Sequence, residues 1–262
     1  MKNILVIGGH DPSGGAGIQA DIEAIAANGC HAVTVISALT VQDTSNVFQM
    51  IPVKASILRR QFDVLLDDMP VAAVKIGLIG NAENARLIAQ RLRMMPQIPV
   101  IVDPVLAAGG GSELATCALL QFYRNELLPL TTIFTPNLPE AQRLSEKNDV
   151  DSCAFALLDK GAKNVLITGG HEQREAVVNR LYDVSGKVEE WEWPILEGEF
   201  HGSGCTLSSA IAAFIAQEIP LKLALRLAQA YTCDTLDNAR KLGKGQLIPL
   251  RVAGCGNGGD TE

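Results

Sequence analysis

The stretch His201-Gly202-Ser203-Gly204-Cys205-Thr206 combines a tight glycine turn with a thiol and two hydroxyls. An apolar run follows at once, with Leu207, Ile211, Phe214 and Ile215 at helical spacing. A glycine turn opening into a helix leaves its first backbone N–H groups without intrahelical partners, in a field that favours negative charge. Gly202, Ser203, Gly204 and Cys205 are therefore candidates to cradle a phosphate. A thiol in that first turn is expected to have its thiolate stabilised by the same field, so Cys205 is a candidate to take a proton. Taken alone, the stretch reads equally well as a plain turn with Cys205 as a core residue, because glycine-rich helix starts are common.

The elements around it decide between these readings. Residues 3–8 are a continuous apolar run, as in a strand buried on both faces. The loop Gly8-Gly9-His10-Asp11-Pro12-Ser13-Gly14-Gly15-Ala16-Gly17 follows, and Ile18, Ile22, Ile25 and Ala26 then mark one helix face. This strand–loop–helix unit has neither the lysine of a Walker A loop nor the dinucleotide glycine spacing. Its glycines allow a small ligand to approach the backbone closely. Further strands are expected over 31–37, 71–76, 98–102, 131–135 and 164–168. Helices are expected over 54–68 (Ile57, Leu58, Phe62, Leu65 and Leu66 inward), 81–94 and near 113–127, the last after the run Gly109-Gly110-Gly111. Two extended runs, 177–184 and 188–195, flank Ser185-Gly186 and read as a hairpin at the sheet edge. Helices over 204–216 and 220–239 follow, the second with Leu223, Leu227, Ala230, Tyr231 and Leu236 inward.

Alternating strands and helices predict a mainly parallel sheet covered on both faces. Such sheets bind ligands beyond the carboxyl ends of their strands. There the chain places Gly8-Gly9, Gln42, Gly77, Asp103, Asn137, Glu140 and Gly169-Gly170. Gln42 carries a donor and an acceptor suited to a heterocycle edge. Taken singly, Asp103 and Glu140 also read as helix caps or solvated carboxylates. Their gathering at one edge is the stronger signal.

With 262 residues, 47% hydrophobic and 19% charged, the chain is sized for one large α/β domain over 1–253, followed by a tail at 254–262 expected to be disordered. A net charge of −7 without a basic run argues against nucleic acid or an anionic membrane surface as partner. Six cysteines without a C-x-x-C pair, no uncharged apolar stretch long enough to span a bilayer, and an N-terminal run too short for a signal peptide predict a reduced, cytoplasmic protein.

Six motifs in order carry a specific resemblance. They are Gly-His-Asp-Pro-Ser-Gly-Gly-Ala-Gly-Ile-Gln-Ala-Asp (9–21), Thr-Val-Gln-Asp-Thr (40–44), Val-Lys-Ile-Gly (74–77), Val-Asp-Pro-Val (102–105), Thr-Pro-Asn-Leu-Pro-Glu-Ala (135–141) and His-Gly-Ser-Gly-Cys-Thr-Leu-Ser (201–208). Over residues 3–250 the chain resembles the hydroxymethylpyrimidine/phosphomethylpyrimidine kinases of thiamin synthesis, in the ribokinase-like superfamily. The resemblance implies a three-layer α/β/α sandwich, ATP and Mg²⁺ as cofactors, and a homodimer. The implied substrate is 4-amino-5-hydroxymethyl-2-methylpyrimidine, its monophosphate, or both. It also implies a pyrimidine pocket at Gln42, Gly9, Asp21, Leu78 and Val105, with Cys205 where sugar kinases of the superfamily have a catalytic aspartate. Asp103, Asn137 and Glu140 match positions near phosphates and metal, the metal being held by Glu140 and Asp103 directly or through water; Thr168 and Gly170 match the start of the nucleotide site. The chain departs from the family at Leu78, often methionine, at Thr168, often lysine, and in Ala108-Gly109-Gly110, where another lysine is usual. A pyridoxal or pyridoxine kinase of the same superfamily, and a non-catalytic pyrimidine-binding regulator, are the competing readings.

Overall fold

The apolar N-terminal run becomes the centre of a nine-stranded sheet in the computed structural model, which describes residues 1–107, 114–170 and 175–252. In chain order the elements begin β1 (Asn3–His10), α1 (Gly17–Ala27), β2 (His31–Gln42), β3 (Val47–Pro52), α2 (Ala55–Asp68), β4 (Ala73–Ile76), α3 (Ala82–Arg93) and β5 (Val100–Val102). They continue with α4 (Cys117–Phe122), β6 (Ile133–Phe134), α5 (Leu138–Ser145), α6 (Val150–Asp159) and β7 (Val165–Ile167). The chain then forms β8 (Val177–Asp183), β9 (Gly186–Trp193), α7 (Ser203–Ala216) and α8 (Leu221–Asp237). Spatially the strands run β3-β2-β1-β4-β5-β6-β7-β8-β9. The six from β2 to β7 are parallel, while β3, β8 and β9 are antiparallel to their neighbours.

Side chains of β1 alternate between two cores, as a doubly covered strand requires. Leu5 and Ile7 join Leu58 and Phe62 of α2, Leu87 of α3, Leu144 of α5 and Leu157 of α6. Ile4 and Val6 face Ile18 and Ile25 of α1, Leu207 and Ile211 of α7, and Leu225 of α8. This is the expected three-layer architecture. The hairpin flanking Ser185-Gly186 lies at the sheet edge as expected, with Val177 opposite Trp193. Because β1 pairs with β2 on one side and β4 on the other, the order in which strands are added reverses at β1. A crevice opens outside the strand ends at such a point.

Several expectations are corrected. The strand expected over 31–37 does not end there: β2 runs on to Gln42 and turns back through β3, pairing Thr40 with Met50. Edge pairing keeps a period of two here, so Leu39 and Val41 are exposed while Thr40 and Gln42 face the cleft. Ile22 of α1 and Ile57 of α2 lie outward. The helix expected near 113–127 is regular only from Cys117, where Thr116 accepts a hydrogen bond from Leu119 N–H, and it widens into a π turn over Tyr123–Leu127. Helix α8 is rotated from the expected face. Ala224, Leu225 and Ala228 are buried, whereas Leu223, Leu227 and Ala230 are exposed. Small residues there meet the alanine-rich flank of α7, which brings the two helices close and leaves the bulkier leucines outside. The glycine run 109–111 and the tail 254–262 lie outside the described residues.

Candidate active site

One cleft of about 590 Å³ opens beyond the strand ends. It is lined by every candidate named from the sequence: Gly9, Asp21, Gln42, Leu78, Asp103, Val105, Asn137, Glu140, Thr168, Gly170, Gly202, Ser203, Gly204 and Cys205.

Helix α7 forms the floor. Residues Cys205 to Ala213 are buried on all sides of it, so its direction is fixed by packing against both sheet and neighbouring helices. Gly202 caps it with φ +73°, a left-handed conformation that a side chain disfavours. A Cβ there would stand 2.2 Å from the Gly15 carbonyl oxygen. The cap thus presses the 201–204 turn against the 11–17 loop. Thr206 N–H and its hydroxyl both donate to the Gly202 carbonyl, at 2.9 and 2.8 Å. The N–H groups of Ser203, Gly204 and Cys205 lie in the first turn, ahead of any intrahelical acceptor, and these residues line the cleft.

Beneath the turn lies a buried charge cluster. Lys75 Nζ donates to Asp21 Oδ1 at 2.7 Å, and both side chains are fully buried. Ser209 donates to the same oxygen at 2.7 Å, while Asp21 Oδ2 has no hydrogen-bond partner among the described residues. Burial alone would lower Lys75; the charges of Asp21, Cys205 and Asp103 outweigh it and hold the ammonium above its ordinary value. The Asp103 carboxylate lies against Gly204 and is reached by the Ser208 hydroxyl at 3.5 Å. Burial raises its pKa, with Lys75 pulling it down and Asp21 pushing it up.

Cys205 corrects the sequence reading. Burial pushes its thiol up to about 12; Lys75 lowers it, and Asp103 and Asp21 raise it further. The helix-end field does not leave a thiolate at neutral pH, because desolvation outweighs it.

Asn137 and Glu140 form a reciprocal cap on α5. Glu140 N–H donates to Asn137 Oδ1 at 2.9 Å, and Asn137 N–H donates to Glu140 Oε2 at 3.0 Å. The capping role and the cleft position coincide in Glu140. Burial, then the charge of Asp103, pushes its carboxyl up to about 8. Two carboxylates raised in this way are a donor set deficient in positive charge, which fits a divalent cation. Among the described residues no group of three or more His, Cys, Asp or Glu side chains gathers as a metal-binding set. A divalent cation bound there would have to keep several waters.

Gln42 stands across the cleft. Its amide nitrogen is 3.5 Å from His201 Nε2, which is 2.9 Å from Asp11 Oδ2. Burial would raise Asp11, but hydrogen bonds from His201, Ser13 and Gln42 hold it well below the usual carboxylate range. Leu78 packs against Gly9, and Val105 N–H donates to the Asp103 carbonyl at 2.9 Å. At the far end, Thr168 N–H donates to the Pro136 carbonyl at 2.9 Å, and Gly170 adopts φ +95° at the start of the segment toward β8. Lys75, Asp11 and Arg251 carry no role in the sequence reading. A single lysine in the apolar run Val71–Ile76 was the available signal for the first.

Comparison with known proteins agrees with this geometry. The profile of the phosphomethylpyrimidine kinase family matches residues 11–250. A hydroxymethylpyrimidine/phosphomethylpyrimidine kinase of Aquifex aeolicus is 34% identical over 251 residues, covering 93% of this chain and 98% of that protein. Another, from Rhizobium meliloti, is 37% identical over 252 residues, covering 92% and 93%. Among solved structures, a Bacillus subtilis pyridoxal kinase in complex with ADP superposes with a TM-score of 0.88 at 29% identity, covering 95% of this chain and 97% of that one. A phosphomethylpyrimidine kinase from Clostridium difficile gives 0.78 at 32% identity, covering 90% and 100%. With the α/β/α sandwich and a family profile spanning nearly its whole length, the chain belongs to the hydroxymethylpyrimidine/phosphomethylpyrimidine kinase family, phosphotransferases of thiamin synthesis.

Proposed function

We propose that this chain transfers the γ-phosphoryl group of ATP to the hydroxymethyl oxygen of the aminopyrimidine, and a second phosphoryl group to the resulting monophosphate. One observation carries the reading. A heterocycle-reading end (Gln42, Gly9, Leu78, Val105, with the unpartnered Asp21 Oδ2) and an anion-binding end (Gly202 to Cys205) share one cleft.

Phosphoryl transfer depends on alignment and charge stabilisation more than on covalent chemistry. The N–H groups of Gly202, Ser203, Gly204 and Cys205 are placed to hold the transferring oxygens, and one such donor is worth about 3 kcal/mol in a rate. With its amide nitrogen engaged by Asp11 and His201, Gln42 has its carbonyl oxygen left for the aminopyrimidine edge. Thr168, Gly170 and Asn137 line the route to the nucleotide. Asp103 and Glu140 would hold Mg²⁺, chiefly through water. When bound, that ion supplies positive charge to the phosphate oxygens and offsets the two raised carboxylates. Cys205 can receive the hydroxyl proton only as the thiolate, its own proton passing first to water in the cleft, a loss that burial and the nearby carboxylates oppose and Lys75 favours. The second transfer has an acceptor that is already ionised and needs that proton acceptor less.

The kinase acts as one catalytic domain over 1–253, in a reducing cytoplasm consistent with the free thiols of Cys30, Cys117, Cys153, Cys205 and Cys233. It works as a homodimer. Exposed Leu39, Val41, Phe48 and Ile51 on β2 and β3 support that assembly as an apolar face at the sheet edge. No helix among the described residues is long and apolar enough to cross a membrane.

A pyridoxal kinase is the second reading, favoured by the superposition on a kinase of that name. ADP release measured with the free pyrimidine, its monophosphate and pyridoxal separates the two. The proposal expects both pyrimidines to be turned over faster than pyridoxal. Pyridoxal as the best acceptor overturns it.

A further inference from the structure

Arg251 is among the largest fully buried side chains of the protein, and its place near the end of the described chain gives no hint of a role. Its five N–H donors meet five acceptors. Nε donates to the Thr206 hydroxyl at 2.8 Å. Nη1 donates to the Gly14 carbonyl at 3.4 Å and to Glu23 at 3.1 Å. Nη2 donates to the Gly15 carbonyl and, at 3.3 Å, to the His201 carbonyl. The guanidinium thus bridges the 11–17 loop, the 201–204 turn and the first turn of α7. Its own backbone is pinned by the Tyr231 hydroxyl, which donates to the Arg251 carbonyl at 2.8 Å, and by Leu250 N–H, which donates to Thr235 at 3.0 Å.

A trans peptide points its C=O and the next N–H in opposite directions. A His201 carbonyl turned toward Arg251 therefore turns Gly202 N–H away from it, to the cleft side. We propose that Arg251 is a positioning residue that fixes the phosphate-holding N–H groups of the 202–205 turn, through the carbonyls of His201, Gly14 and Gly15 and the hydroxyl of Thr206. A lysine cannot serve, because a point charge with three donors does not reproduce a planar five-donor fork.

This inference rests on the kinase reading, and the test keeps the two apart. ADP release and ATP affinity by calorimetry are measured for wild type, Arg251→Lys, Arg251→Ala and Glu23→Gln, with thermal melting as the check on folding. Loss of a correctly aimed donor, or a displacement near 1 Å, costs about 100-fold in rate. The expected result is a kcat about 10- to 100-fold lower in Arg251→Lys, weaker ATP binding and unchanged pyrimidine binding. Glu23→Gln, which removes only the ion pair, stays within about 2-fold of wild type. Ethylguanidinium at millimolar concentration restores part of the turnover of Arg251→Ala, and ethylammonium does not. A folded Arg251→Lys with wild-type kcat and ATP affinity overturns the inference. So does an equal loss of pyrimidine and ATP binding, which would mean general loosening. If wild type binds ATP but turns over no acceptor, the kinase reading fails and the ATP-affinity ratios still decide the role of Arg251.

Discussion

Replacing Gly202 by alanine tests the phosphate cradle with a single methyl group. Gly202 sits at φ +73°, and the new Cβ would lie 2.2 Å from the Gly15 oxygen and 2.9 Å from both Ala16 Cα and Arg251 Nη2. The first two contacts are backbone atoms and cannot rotate aside. Relief to an ordinary contact needs a displacement of about 1 Å, and the left-handed conformation adds about 1–2 kcal/mol for an L-residue. A 1 Å misplacement of catalytic groups costs about 100-fold in rate, equivalent to about 2.7 kcal/mol of transition-state stabilisation. Gly202→Ala should therefore lower kcat for ADP release about 100-fold, lower the melting temperature by a few degrees, and leave pyrimidine affinity by calorimetry within about 2-fold. Gly29→Ala is the matched control: φ is +78° and nothing lies within 4 Å of the added Cβ. It carries the conformational strain without the overlap and should lose stability but not turnover. Wild-type kcat in Gly202→Ala, or an equal loss in Gly29→Ala, refutes the reasoning.

Cys205→Ala should lower turnover of the free pyrimidine about 100-fold and that of the monophosphate less than about 10-fold; equal effects on both would remove Cys205 from proton transfer. Gln42→Leu should weaken pyrimidine binding about 10- to 100-fold with ATP affinity unchanged, because it leaves buried polar groups of the ring unpaired. Glu140 has its carboxyl raised from the ordinary 4.5 to about 8. The folded protein therefore holds a proton there that the unfolded chain has released, and this contribution to stability is lost as pH rises from about 4.5 to about 8. Glu140→Gln should flatten that decline in thermal melts and raise the magnesium concentration needed for half-maximal rate. Lys75→Met leaves a buried carboxylate without its cation and should cost about 3–5 kcal/mol in urea unfolding, of which a second substitution, Asp21→Asn, returns a substantial part.

The sequence made the inner strands legible because β1, β4 and β5 are short apolar runs closed by glycine or Asp-Pro. The cleft followed from where those runs end. What it obscured has physical causes. The hairpin of β2 and β3 alternates polar and apolar residues that face cleft and solvent, so no core-facing run marks it. Helix α8 packs through Ala224, Ala228 and Thr232, small residues whose burial a reading by bulk overlooks in favour of exposed Leu223 and Leu227. The Cys205 thiol is held neutral first by burial and then by the balance of Lys75 against Asp103 and Asp21, brought beneath it from three separate elements; local position at a helix start could not reveal that. Arg251 was silent for the same reason, since its acceptors come from residues as distant in sequence as Gly14 and His201.

The most direct test of the account is a crystal structure of the protein with the aminopyrimidine and a non-hydrolysable ATP analogue. The γ-phosphate should lie within hydrogen-bonding distance of the N–H groups of Gly202 to Cys205, with the hydroxymethyl oxygen in line and the ring against Gln42. A terminal phosphate held elsewhere, with that turn facing only solvent, contradicts it.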